Sequence, residues 1–285
     1  MSITVNNVSF TYFPGTVFET TALRDINLTI ADGEYVGIMG KTGCGKSTLI
    51  QLMVGLMLPS DGKILIDGKD INGRNYPREE LRKKVGIAFQ YPEVQLFETT
   101  VEKDVAFGLR HSGLSEDVIR NNVRWAIEMV GLDFEKIRTE SPFSLSGGEK
   151  RRVALAGILA PKPKTLILDE PIAGLDPLGR EGFLKLTKEL NETGITIIMV
   201  SHYADALAEN AQRVIILENG KLLIDLPPKQ LFKDVEMLRQ KGIGISQARE
   251  VAALLKTQGI SIPQDTIQYK ELLPYLITIG RAGTL

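Results

Sequence analysis

The chain has 285 residues, 43% of them hydrophobic and 24% charged, enough for a full core and for one large domain with a small appendage. A formal net charge of −1 excludes a global basic field aimed at nucleic acid, leaving room only for a local patch. One cysteine excludes an intrachain disulfide framework and points to a reducing, intracellular compartment, and two histidines exclude a histidine-rich metal site.

The opening "MSITVNNVSFTYF" alternates polar and apolar residues and reads as a strand, since no basic start precedes an apolar run as in a signal peptide. From Ile3 to about Ile71 short β-like runs follow one another: "ITVNNVSFTY", "LRDINLTI", "EYVGIMG" and "KILIDGKDI". The turn pairs Asp32-Gly33, Asp61-Gly62 and Asp67-Gly68 separate several of them. Within this region "GKTGCGKST", Gly40 to Thr48, leads into "TLIQLMVGLM", whose spacing is helical. From about 91 to 160 helix dominates, and "SEDVIRNNVRWAIEMVGL" is strongly amphipathic with an expected cap at Ser115.

Next come a buried-strand run "TLILDE", a helix around "GREGFLKLTKELNE", a second buried-strand run "ITIIMVSH", and "RVIILENGKLLI". Alternating buried strands and helices predict a partly parallel α/β sheet covered on both faces. Leu226-Pro227-Pro228 breaks the pattern, so residues 1–230 are expected to form the main domain and 231–285 a mixed C-terminal extension. Apolar runs such as "VALAGILA" fall well short of the roughly 20 residues that span a bilayer, so a membrane role is expected to run through a partner.

Chemistry concentrates in a few stretches. "GKTGCGKST" fits G-x-x-x-x-G-K-[ST] through Gly40, Gly45, Lys46 and Ser47, and it lies between an apolar strand and a helix, as that motif requires. The backbone of Gly40, Lys41, Thr42, Gly43, Cys44, Gly45 and Thr48 would wrap phosphates, Lys46 would neutralise β/γ charge, and Ser47 would hold Mg²⁺. Cys44 reads as a small loop residue and not as a redox site.

"TLILDE" sets Asp169 and Glu170 at the end of a buried strand, where one carboxylate can hold Mg²⁺ through water and its neighbour can polarise an attacking water. His202 ends the next buried strand, either contacting a γ-phosphate or simply closing the strand with a polar group. His111 is expected in an exposed loop and Trp125 in the core.

A second anion cradle appears in "FSLSGGEKRRVALAGILA", where a serine and two glycines open a helix with free backbone N–H groups. The order phosphate loop, Gln90, "LSGGE", "ILDEP", "GLD" and His202 resembles the nucleotide-binding subunit of ATP-binding cassette (ABC) proteins over about residues 1–230. The resemblance implies an α/β fold: a P-loop NTPase core of ABC type with an N-terminal antiparallel β subdomain, a helical signature subdomain and a small C-terminal domain. It also implies an ATPase using ATP and Mg²⁺.

In such proteins two subunits stack head to tail, which gives the second cradle a purpose: Ser146, Gly147 and Gly148, with Glu149 behind them, would meet ATP held by the partner. Asp176 would cross the dimer interface. Gln90 would join Ser47 and Asp169 around Mg²⁺ and the attacking water. Glu170 would act as general base and His202 as the switch histidine. Tyr12 matches the aromatic that stacks on adenine; its other reading is a surface tyrosine on an edge strand.

Two positions depart from the family pattern. Glu149 replaces a glutamine, so its charge would weaken the composite site unless Lys150, Arg151 or Arg152 compensates or the side chain points away. Ile172 replaces the usual threonine after "DEP".

Within the class, the absence of a fused span and of long arms disfavours exporters, tandem-cassette factors and repair ATPases. "FQYPEVQLFETTVEKDVAFG" is similar to the ATPases of energy-coupling factor transporters, which import vitamins and transition-metal ions. "FPGTVFETTALRDINL" and the signature helix resemble the second of the two paired ATPases in group-II systems. That resemblance implies a second, different ABC ATPase subunit, a transmembrane coupling protein and exchangeable substrate-binding membrane subunits as partners, with no nucleic acid. It also implies a peripheral position on the cytoplasmic face of the cell membrane.

Glu93, Glu98, Glu102 and Asp104 are candidates to receive basic side chains of the coupling protein, or form an ordinary solvated face. "ISQAREVAALLKTQG" is an expected amphipathic helix of a C-terminal part that either helps hold the ATPases together or merely stabilises the chain. The competing classes are a soluble ABC ATPase acting on nucleic acid or a protein complex, against which charge and missing arms count, and a small-molecule P-loop kinase, which leaves the "LSGG" turn unexplained.

Overall fold

The computed structural model describes residues 1–73 and 76–281. Three strands open the chain, β1 (Ile3–Tyr12), β2 (Thr20–Ile30) and β3 (Tyr35–Met39), followed by α1 (Lys46–Met53), β4 (Asp61–Ile66), β5 (Lys69–Asp70), α2 (Arg78–Lys84) and β6 (Val85–Ala88). A helical stretch comes next: α3 (Val101–Ala106), α4 (Glu116–Met129), α5 (Phe134–Ile137) and α6 (Gly147–Leu159). Strands then alternate with helices as β7 (Thr165–Asp169), α7 (Pro177–Glu192), β8 (Thr196–Val200), α8 (Ala204–Asn210), β9 (Arg213–Glu218) and β10 (Lys221–Leu226). The chain closes with α9 (Pro228–Leu231), α10 (Val235–Gln240), α11 (Gln247–Thr257) and α12 (Tyr269–Arg281).

Two sheets result. An antiparallel sheet runs β2-β1-β4-β5, and a larger one runs β10-β9-β3-β8-β7-β6, parallel except for β10. Side chains on successive strand residues point to opposite faces, and the sequence fills both faces of the central strands with apolar groups. Val36, Ile38, Ile167, Ile198, Val200 and Ile215 pack with α1 and the antiparallel sheet. Tyr35, Leu166, Leu168, Ile197, Met199, Val214 and Ile216 pack with α3, α4, α6, α7 and α8. The "TLILD" and "TIIMV" runs are thus buried on both sides, which is why they show no polar alternation.

The amphipathic helix expected near 115–130 is α4, burying Val123, Ala126 and Ile127. Ser115 stands at its N-cap position, yet its side chain makes no capping hydrogen bond. Trp125 is half-buried against the large core, with the Lys162 ammonium 5.3 Å from its ring centroid, and His111 is exposed.

Beyond β10, Leu231, Phe232, Leu238, Ile243 and Ile267 join the large core, whereas Ala248, Ala252, Leu255, Ile262 and Leu272 form a small cluster of their own. α11 is the helix that periodicity predicts there, and a further helix, α12, follows it with Pro274 inside. No helix among the described residues is long and apolar enough to cross a membrane.

Candidate active site

The phosphate loop is shaped by two close backbone approaches. Gly40 has φ +145, and a Cβ there would lie 2.3 Å from the Leu217 carbonyl oxygen; Gly45 has φ +108, and a Cβ there would lie 2.7 Å from that of Ala22. No side chain caps α1, and no acid lies in its first turn, so its amide groups and helix dipole remain available to an anion. Lys46 curls back over the loop, its Nζ donating to the carbonyls of Gly40 at 2.7 Å and Lys41 at 3.0 Å. Lys41, Thr42 and Gly43 are exposed at the rim, while Cys44 is buried beneath it. Tyr12 stands beside the loop's helix with its Oη 3.0 Å from Thr48 Oγ1 and its ring edge-on to Phe10.

Parallel pairing brings the acidic residues to the same place. β3 and β8 are neighbours, as are β8 and β7, so the residues just after these parallel strands meet at their shared C-terminal end. Ser47 Oγ donates to Asp169 Oδ2 at 3.3 Å. Burial, and secondarily the Glu170 charge, push the Asp169 carboxyl above its ordinary pKa, against the opposing pull of the Ser47 hydrogen bond. A desolvated carboxylate beside a hydroxyl is a hard-oxygen pair that a small divalent cation satisfies, so the residues fit Mg²⁺.

Glu170 adopts a left-handed φ of +49, uncommon for a residue with a side chain, and its amide donates to the Val200 carbonyl at 2.9 Å. His202 Nδ1 lies 2.8 Å from Glu170 Oε2, and the His202 amide donates to the same oxygen at 3.4 Å. Gln90 is exposed, and no hydrogen bond among the described residues brings its side chain to Ser47 or Asp169. Its carbonyl instead accepts from Arg151 at 3.5 Å.

Arg151 is the residue that sequence reasoning missed. It was weighed only as a counter-charge for Glu149, but its guanidinium, on a residue only 8% exposed, donates to the carbonyls of Ala173 at 3.0 Å, Pro171 and Gln90. It ties α6 to the loop that follows Glu170 and to the backbone of Gln90. The available signal was an arginine on the side of α6 that also carries Leu155 and Leu159. Ile172 beside that loop is fully buried, so an apolar residue there serves packing.

The signature turn is closed on itself. Ser146 caps α6 in a reciprocal box: the Glu149 amide donates to Ser146 Oγ at 3.3 Å, while Glu149 Oε2 accepts from the Ser146 amide at 3.0 Å and its hydroxyl at 2.7 Å. These two bonds hold the Glu149 carboxyl below the usual range, with Arg152 contributing across space. Gly147 and Gly148 have nothing within 4 Å of an added Cβ. No hydrogen bond among the described residues links this turn to the phosphate loop of the same chain. Asp176 is exposed and caps α7, accepting from the Gly179 amide at 2.7 Å.

Three of the four acids considered for docking are already engaged. Asp104 accepts from the amides of Phe97 and Glu98, Glu98 pairs with Arg110, and Glu102 pairs with Arg138 and Arg120. Glu93 keeps one buried carboxylate oxygen without a partner among the described residues. In the same segment Tyr91, Val94 and Phe97 expose apolar surface, and Phe97 stacks edge-on with the exposed Phe107.

Residues 23–173 match the ABC transporter family. The chain is 46% identical over 282 residues to the energy-coupling factor transporter ATP-binding protein EcfA2 of Clostridium perfringens, covering 99% of both. It is 47% identical over 278 residues to EcfA2 of Caldanaerobacter subterraneus subsp. tengcongensis, covering 97% of both. Among solved structures it resembles cbiO1 from Clostridium perfringens, part of the ABC transporter complex cbiONQ, with a TM-score of 0.75 and 38% identity over 89% of this chain and 98% of that one. It also resembles the dimeric cassette MJ0796 in a post-hydrolysis state bound to ADP and Pi, with a TM-score of 0.68 and 31% identity over 79% of this chain and 98% of that one.

Proposed function

The chain belongs to the ABC transporter family, among the ATP-binding proteins of energy-coupling factor transporters, and from that premise we propose that it is an ATPase subunit powering uptake of vitamins or transition-metal ions. The observation that carries this reading is the convergence of Lys46, Ser47, Asp169, Glu170 and His202 at the C-terminal ends of neighbouring parallel strands. The names of the relatives favour transport over a soluble ATPase acting on nucleic acid or a protein complex.

In this reading the phosphate loop backbone and Lys46 hold the triphosphate, and Tyr12 stacks on adenine. Ser47 and Asp169, the latter through water, would hold Mg²⁺ together with Gln90, and the bound ion would supply neutralisation of phosphate charge. Glu170 takes a proton from water as the water oxygen bonds to the γ-phosphorus and the bond to the ADP oxygen breaks. His202 orients the Glu170 carboxylate through Nδ1. Ser146, Gly147 and Gly148 complete the site of the other subunit, and Asp176 lies at the interface.

Residues 1–230 form the nucleotide-binding domain, with its helical part at about 91–160, and 231 onward an extension that helps hold two ATPases together; residues 282–285 lie outside the described ones. The partners are a second, different ATPase, a transmembrane coupling protein docking at the apolar surface around Glu93, and exchangeable substrate-binding membrane subunits. The protein works peripherally on the cytoplasmic face of the membrane. ATP binding closes the ATPase pair, and phosphate release reopens it, driving the coupling protein by differential affinity for two states.

Tagging the chain in its native host and identifying what co-purifies from detergent-solubilised membranes tests the assembly. A different cassette ATPase with a polytopic membrane protein is the expected outcome, and a soluble homodimer free of membrane proteins would overturn the transport assignment. Calorimetry on Lys46→Ala tests the nucleotide site, with ATP affinity expected to fall about tenfold or more as a charge-assisted phosphate contact is lost. Unchanged affinity would sink the phosphate-loop reading.

A further inference from the structure

The segment between α10 and α11 reads "KGIGIS", and its residues divide by size. Ile243 is buried in the large core, and Ile245 is packed against it. The glycines that alternate with them, Gly242 and Gly244, face the active-site loops. A Cβ on Gly242 would lie 2.7 Å from Lys41 Cε, at the rim of the phosphate loop. A Cβ on Gly244 would lie 2.8 Å from the His202 carbonyl oxygen, 3.6 Å from Met39 Cε and 3.7 Å from Ala204 Cβ.

Both ends of the segment are tied down. Lys241 Nζ reaches the Glu218 carboxylate at 2.9 and 3.1 Å, just beyond Leu217, whose carbonyl Gly40 approaches. The Gln247 amide donates to Asp205 Oδ1 at 2.9 Å, three residues after His202. A stretch of the C-terminal extension is therefore anchored at Glu218, next to Leu217 below the phosphate loop, and at Asp205, just after His202, and leaves no room for a methyl group against the His202 carbonyl.

We propose that residues 241–247 form a strap through which the C-terminal helices set the placement of the His202–Glu170 pair, with Gly244 as the positioning residue. This rests on the ATPase reading above. The two glycines differ in kind: at Gly242 an added methyl meets the far end of a flexible lysine, whereas at Gly244 it meets a backbone carbonyl that cannot swing aside. Gly244 is also outside the left-handed region, so Gly244→Ala adds bulk without backbone strain. Any partner that shifts α11 or α12 thereby acquires a lever on hydrolysis.

Two histidines in the whole chain make the test direct, since selective histidine labelling gives one signal from His202 and one from the exposed His111. In nucleotide-free full-length Gly244→Ala at fixed pH, the His202 imidazole signals should move while those of His111 stay in place. In the complex carrying its wild-type partners, kcat for ATP should fall about tenfold, because small misplacements of a reacting group are costly, while KM stays within about twofold.

Lys241→Gln, which releases one anchor without adding bulk, should shift the same His202 signals and lower kcat less. Leu272→Ala, which loosens the small C-terminal cluster away from the strap, is the control for general destabilisation. Unmoved His202 signals or an unchanged kcat in Gly244→Ala would overturn the strap, as would an equal loss of kcat in Leu272→Ala. A wild-type complex that hydrolyses no ATP would bring down the ATPase reading and the strap with it.

Discussion

The phosphate loop and the signature turn, both proposed anion cradles, each open a helix, but one start is uncapped and the other is closed by its own side chains. At the loop, α1 has no side-chain cap, its lysine rests on neutral carbonyls, and a desolvated Asp169 waits beside Ser47. At the turn, the Ser146 amide and hydroxyl are already taken by the Glu149 carboxylate three residues on. The loop is assembled by elements of its own chain and needs only its ligand. The turn holds its own carboxylate, so in the proposed role a partner-bound phosphate would compete with Glu149 for the Ser146 amide and hydroxyl.

The sharpest way to break this comparison is Glu170→Gln, which removes the proposed base and keeps the fold. Hydrolysis should drop by about 10²–10⁴ while ATP binding persists and the dimer is trapped closed, as single-turnover and gel-filtration measurements would report. Unchanged turnover would remove Glu170 from that role. Next in size, Ser146→Arg should reduce hydrolysis about tenfold or more at the site of the partner while leaving the ATP affinity of this subunit intact; a single phosphate contact of this kind is worth that much. Loss of its own ATP binding would contradict the separation of the two cradles.

Glu149→Gln should act in the opposite direction. It keeps an acceptor for the Ser146 amide but removes the competing charge, so ATP-driven dimerisation should strengthen about fivefold, equivalent to about 1 kcal/mol. A weaker dimer would mean that the carboxylate assists closure. The smallest effect is expected from Asp169→Asn in the absence of nucleotide. The folded state raises the Asp169 pKa, so the ionised carboxylate costs stability at neutral pH, and that cost is relieved as pH falls toward the raised value. The amide should therefore raise the melting temperature by about 1–2 °C at neutral pH, with the gain shrinking on acidification.

The open cradle was the more legible of the two. Gly40 to Thr48 is a contiguous motif, and the buried runs before Asp169 and His202 announce strands whose ends carry polar residues, so pattern and chemistry point the same way. The occupied state of the turn was also written locally, as a serine followed three residues later by a glutamate at a helix start, but the anion-binding reading of Ser146 overshadowed the capping box.

What stayed hidden was set by distance along the chain. Arg151 meets carbonyls of Gln90, Pro171 and Ala173, and the acids Glu98 and Glu102 find Arg110, Arg120 and Arg138, contacts that no local spacing announces. Strand order in the large sheet was illegible for the same reason. Alternation says that a strand is buried on both faces, and it does not say which strands flank it.

That strand order governs when the protein can exist as a nucleotide binder. β3 feeds the phosphate loop, yet its neighbours in the sheet are β8 and β9, with Tyr35 opposite Ile197 and Val36 opposite Arg213. Gly40 rests on the Leu217 carbonyl, and the Gly220 amide donates to that of Cys44. A nascent chain emerging from the ribosome has made the whole loop long before these braces are synthesised. At about 5–20 residues per second, it waits on the order of ten seconds or more for them. The antiparallel sheet, whose strands all lie before Ile71, can fold in that interval, but the loop has no sheet to hang from. Long-range parallel pairing of this kind is slow, and it leaves the apolar strand YVGIM in need of shelter until the C-terminal third arrives.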